Sequence, residues 1–103
     1  MRRAAKIDRN QPEIVAALRA VGCTVQPLHT VGQGVPDLLV GVPRASGQGG
    51  VTLMVEVKDH KQPPSARRLT EDQLAWHAAW NGGPLAVVCD VESALRAVKV
   101  ASE

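Results

Sequence analysis

The most informative stretch of the chain is Val51-Thr52-Leu53-Met54-Val55-Glu56-Val57-Lys58. It is rich in β-branched residues and stays apolar until its end, as a strand covered on both faces does. Strand side chains alternate, so Glu56 and Lys58 share one face while Val57 points to the other. A carboxylate and an ammonium leaving such a strand together need a reason, because burying either is costly. A salt bridge between them is one explanation; a shared chemical task is the other.

Upstream, Pro43 to Gly50 is a Gly/Ser loop, and Asp37-Leu38-Leu39-Val40-Gly41-Val42 is a short apolar strand with an acid at its mouth. Val31 to Pro36 is a turn-rich connection, and Cys23 to Leu28 alternates weakly as another strand. Asn10-Gln11-Pro12-Glu13 opens a helix, with Asn as cap, Pro in the first turn and Glu completing a capping box. Ile14, Val15, Leu18 and Val21 recur at helical spacing, and Gly22 ends the run. Downstream, Gln62-Pro63-Pro64-Ser65 breaks the chain and Arg67-Arg68 follows. Thr70 to Trp80 reads as a helix opened by a Thr70/Gln73 capping box and stopped by Asn81-Gly82-Gly83-Pro84. Trp76 and Trp80, four apart, are expected to pack into the core across a sheet. Leu85 to Cys89 is a fourth strand. Val91 to Val98 is a closing helix with Leu95 and Val98 turned inward. The predicted order is α-β-β-β-α-β-α, an α/β domain around a four-stranded mixed sheet.

The composition of the 103 residues fits that reading: 45% apolar, 21% charged, as in one soluble globular domain. No apolar run reaches the ~20 residues of a membrane helix. The basic start, Met1 to Lys6, lacks the apolar segment of a secretory signal. Two cysteines suit a reducing cytoplasm better than a disulfide framework. Two Trp and no Phe or Tyr argue against recognition by base-stacking aromatics. The net charge is +2, but residues 1–9 and 58–68 each carry +3 while the remaining positions sum to −4. Two basic segments on an acidic body suggest a polyanionic partner, although a solvated tail and loop would look the same. Cys23, Cys89, His29, His60 and His77 lack the spacing of a zinc site. Gly32 and Gly34 precede no helix, so they are not a nucleotide-cofactor fingerprint; they suit a close backbone approach ahead of Asp37.

Asp37 lies 19 positions before Glu56, room for a strand, a loop and a return strand. Asp37 and Glu56 together offer oxygen ligands for a hard divalent cation, with Lys58 placed to orient or activate attacking water. Pro36-Asp37 followed by Glu56-Val57-Lys58 resembles the PD-(D/E)XK nuclease signature. That string alone arises by chance. In order with Gly34-Val35-Pro36-Asp37-Leu38-Leu39-Val40-Gly41 and Leu69-Thr70-Glu71-Asp72-Gln73-Leu74-Ala75-Trp76-His77, it resembles the VRR-NUC branch, particularly its small stand-alone phage and bacterial members. The resemblance covers about residues 8 to 98.

The resemblance implies a restriction-endonuclease-like fold and a Mg²⁺- or Mn²⁺-dependent endonuclease acting on DNA, with branched DNA such as a four-way junction or flap as its preferred substrate. Asp37 and Glu56 would be metal ligands, joined by the Val57 carbonyl. Lys58 would be the catalytic lysine, and Gln73 the glutamine facing the site, a role that does not conflict with capping Thr70. An acid on the first helix is also implied, and the match divides between Asp8 and Glu13. Arg67, Arg68, Lys61, Arg2 and Arg3 are the candidate DNA contacts. One chain offers one site and cutting two strands needs two, so a symmetric homodimer is expected. The alternative is a DNA-binding or assembly module that keeps the fold and does not cut.

Overall fold

In the computed structural model, which describes residues 7–103, four strands pair in the order β1-β2-β3-β4. β1 (Thr24–Pro27) and β2 (Leu38–Pro43) are antiparallel, as are β2 and β3 (Gly50–Val57). β3 and β4 (Leu85–Val88) are parallel, so the chain crosses over between them. The crossover carries a short helix α2 (Pro64–Arg67) and the helix α3 (Glu71–Ala79). α1 (Gln11–Ala20) precedes the sheet and α4 (Val91–Ser102) follows it.

Alternation sorts the two faces. Leu38, Val40 and Val42 of β2, with Leu53, Val55 and Val57 of β3, turn to one side and join Val25 and Val88 in a buried apolar cluster. Ile14 and Leu18 of α1 and Ala94 and Val98 of α4 close it. Each fully buried aliphatic side chain contributes about 1.5–3 kcal/mol. The opposite face carries Met54, Glu56 and, just past the strand, Lys58. All three are buried, so the end of β3 is covered on both sides, as its composition predicts.

Several local expectations are corrected. Asn10 does not cap α1: its backbone is already helical and its side chain makes no cap hydrogen bond. Its Nδ2 instead donates to the carbonyls of Lys58 (3.1 Å) and Cys89 (2.9 Å). Val21 lies past the end of α1 and is exposed. α2 has no counterpart in the sequence reading, since a single turn has too little periodicity to show. α4 runs to Ser102 because Val98 is not its last turn; Lys99 and Val100 continue it on the solvent side. Its start is a capping box between Asp90 and Ser93. Trp76 and Trp80 do not enter the core: α3 buries no residue fully, and the two indoles stack on each other 4.9 Å apart. Cys23 and Cys89 fall just outside the strands, Cys23 buried and Cys89 half-buried. Among the described residues no helix is long and apolar enough to cross a membrane.

Candidate active site

Register builds the site. Leu38 pairs with Val55, so one step further along both strands Asp37 comes alongside Glu56, on the face away from the core. The Asp37 carboxylate accepts the Val57 N–H at 2.7 Å, and its carbonyl accepts the Leu28 N–H at 2.7 Å. Both contacts fix the acid at the mouth of β2.

α3 completes the arrangement through its first turn. Thr70 and Gln73 form the expected capping box. The Gln73 amide does more than cap. Its Oε1 accepts from the Thr70 N–H (2.9 Å) and from Lys58 Nζ (2.8 Å), while its Nε2 donates to Glu56 Oε2 (3.1 Å). The ammonium and the backbone N–H can only donate, so the amide's orientation is set by chemistry. The two readings of Gln73 therefore coincide in one side chain.

What lets α3 come this close is Gly34. Its φ is +84°, a conformation that disfavours any Cβ, and an added Cβ would overlap the Asp72 carbonyl and crowd the Gln73 N–H. The close backbone approach expected ahead of Asp37 is thus an approach to the first turn of α3.

Asp8, Asp37, Glu56, Lys58 and Gln73 line one cavity of about 330 Å³, with Gly34, Ala66 and Thr70 among its other walls. Glu13, on α1, lines a different cavity, whereas Asp8, which precedes that helix, lines this one. Burial, then a hydrogen bond with Asp37 and the Asp37 charge, push the Glu56 carboxyl up to about 9; Lys58 opposes that rise and Asp8 adds to it. Glu56 Oε1 is buried without a hydrogen-bond partner. Two carboxyls thus crowd one wall of a polar cavity with more acceptor capacity than the protein satisfies. Among the described residues no three His, Cys, Asp or Glu side chains cluster as a metal cage.

The sequence did not single out two other contributors. Asn10 pins the Lys58 carbonyl from below. His77, one turn along α3 from Gln73, has its imidazole pKa lowered by burial and by the Lys58 charge, and its Nε2 is buried without a partner. The i, i+4 spacing from Gln73 to His77 was the available signal. Arg67 and Arg68 are exposed beside Ala66, at the rim. Lys61 lines the neighbouring cavity with Glu13. Arg2 and Arg3 lie outside the described residues.

No protein-family model and no curated protein matches the chain. Among solved structures, a chain described as a "VRR_NUC domain" is similar to it, with a TM-score of 0.64 and 31% identity over 93% of this chain and 97% of that one.

Proposed function

The chain belongs to the VRR-NUC family of nuclease domains, and from that premise we propose that it is a divalent-metal-dependent endonuclease that hydrolyses DNA phosphodiesters. The observation that carries the reading is the buried Asp37–Glu56 pair, its Glu56 carboxyl pushed up to about 9 and one oxygen left unpartnered, with Lys58 held beside it by Gln73. That donor set fits a hard divalent cation, Mg²⁺ or Mn²⁺, which takes oxygen ligands and would relieve the crowding of the two acids. Asp37 and Glu56 would hold it, together with the Val57 carbonyl. When bound, such an ion supplies Lewis-acid polarisation of the phosphoryl group and acidification of water.

The chain's own residues do the rest. Lys58 Nζ spends one N–H on Gln73 Oε1, and its remaining donors orient the attacking water and stabilise negative charge building on the phosphoryl oxygens. Gln73 keeps Lys58 and Glu56 in fixed relation, so the nucleophile's guide and the ligand cannot drift apart. The Val57 N–H does the same for Asp37. Arg67 and Arg68 beside the cavity, with Lys61, Arg2 and Arg3, supply phosphate contacts. Duplex cleavage by single-site chains requires two copies, which a symmetric homodimer provides.

The test is incubation of the pure protein with duplex, flap and four-way-junction DNA in Mg²⁺, Mn²⁺ or EDTA. Cutting is expected with either metal and not in EDTA, with the branched substrates preferred. Asp37→Asn should abolish it while leaving the melt intact, because the change removes a ligand charge and little volume. Parental cutting by Asp37→Asn, or cutting in EDTA, would place the chemistry elsewhere.

A further inference from the structure

A second polar cavity, also about 330 Å³, lies next to the candidate active site and is walled by Arg9, Asn10, Glu13, Asp59, His60 and Lys61, among others. The two cavities are joined through consecutive residues. Asp8 lines the first and Arg9 the second; Lys58 lines the first and Asp59 the second. Asn10 ties the partition together by holding the Lys58 and Cys89 carbonyls.

The charges in this cavity are not evenly presented. Asp59 is buried and its Oδ1 already accepts the Lys61 N–H at 2.9 Å, so that acid is turned inward. Arg9 and Lys61 are exposed. The His60 ring is anchored through Nδ1, which meets the Cys89 carbonyl at 3.0 Å and so must carry the proton. Glu13 is the exposed acid of the same lining. Two exposed cations, Arg9 and Lys61, therefore stand over a braced floor against one exposed acid, Glu13. With Asp59 turned inward, the two exposed cations are placed to meet an anion, and Glu13 opposes its approach.

We propose that this cavity seats the phosphate that flanks the scissile one on the same DNA strand, with Arg9 and Lys61 as its charged contacts. The proposal rests on the nuclease reading of the neighbouring site and adds the path of the strand. The strand runs from Arg9 and Lys61, past Lys58, to the rim at Ala66 where Arg67 and Arg68 begin the next basic patch.

The experiment separates binding from cutting. Fluorescence anisotropy of a labelled DNA duplex in EDTA, over a series of salt concentrations, is compared for the parent and for Arg9→Ala/Lys61→Ala. Removing both cations should weaken binding and flatten the log–log salt slope by about 0.9, the value for one phosphate. Glu13→Gln should act in the opposite sense and tighten binding. In Mg²⁺ or Mn²⁺ the double variant should lose about tenfold more kcat/KM on DNA than on bis(p-nitrophenyl) phosphate, an ester with no flanking phosphate. An unchanged slope overturns the proposal. So does an equal loss on the two substrates, which would mean that the residues act on the chemistry or on the fold. Absence of cleavage in every metal, with the binding change intact, would remove the nuclease reading and leave the phosphate seat standing.

Discussion

Gln73 joins helix start to chemistry through one amide, and its two roles separate by substitution. Glu at this position still accepts from the Thr70 N–H and from Lys58, so the cap survives. It cannot donate to Glu56, and it adds a third carboxylate to Asp37 and Glu56. Gln73→Glu is expected to melt near the parent temperature and to cut about tenfold slower or worse, at least about 1.4 kcal/mol on the barrier; parental rates would reduce Gln73 to a cap. Glu56 makes a prediction about pH. Its folded carboxyl titrates at about 9 against an ordinary value of 4.5, so between those values the folded state holds a proton that the unfolded state has lost. Stability without metal must then fall as pH rises through that window. Glu56→Gln, which cannot ionise, should flatten the decline and melt above the parent at about pH 9 in EDTA. A parallel pH profile in the two proteins would show that the crowding is illusory. Asp37, Glu56 and Lys58 could be nominated from strand alternation and the chemistry of their side chains, whereas the capping pattern gave Gln73 only its cap and the family resemblance implied its place at the site. Asn10 could not be nominated: whether an Asn caps depends on its own φ and ψ, and those follow from tertiary contacts with residues 48 and 79 positions away.

The four strands and three main helices were legible because each carries its own period, and β2 and β3 pair as their alternation requires. What failed was the role of α3. Trp76 and Trp80 have core-like spacing, yet the helix touches the sheet through Gln73 at its first turn and leaves its last turn half-exposed. Spacing shows which residues share a helix face; it does not show what that face meets. The seating of α3 depends on Gly34, and Gly34→Ala is the sharpest test of it. The change forces a left-handed backbone onto a residue with a Cβ and drives that Cβ into the Asp72 carbonyl. It should cost about 1–3 kcal/mol. It should also lower activity beyond what the melt explains, because Gln73 moves with the turn. Thr70→Ala, which loses the cap alone, provides the comparison at about 0.5–2 kcal/mol. If Gly34→Ala melts and cuts like the parent, α3 is not seated there.

Taken whole, the molecule is nearly neutral but polarised, and its affinity for DNA should be governed by the basic segments. Arg67→Ala/Arg68→Ala should flatten the log–log salt slope by about 0.9 for each phosphate left without its arginine on duplex DNA; an unchanged slope would mark this loop as merely solvated. Charge placement was readable in advance because it needs no folding, whereas the cavity shared by Arg9 and Lys61 was not, since 52 positions separate them. The Asn10 clamp also bears on how the protein is made. Its two acceptors lie on Lys58 and on Cys89, and the Lys58 N–H donates to the Val88 carbonyl at 2.8 Å, so the full bracing of Lys58 waits until the chain has been synthesised past residue 89. Contacts of such separation close late in folding. A ribosome-bound chain therefore carries every candidate catalytic side chain before it can hold them all in place, and on the nuclease reading any cutting waits for its final strand.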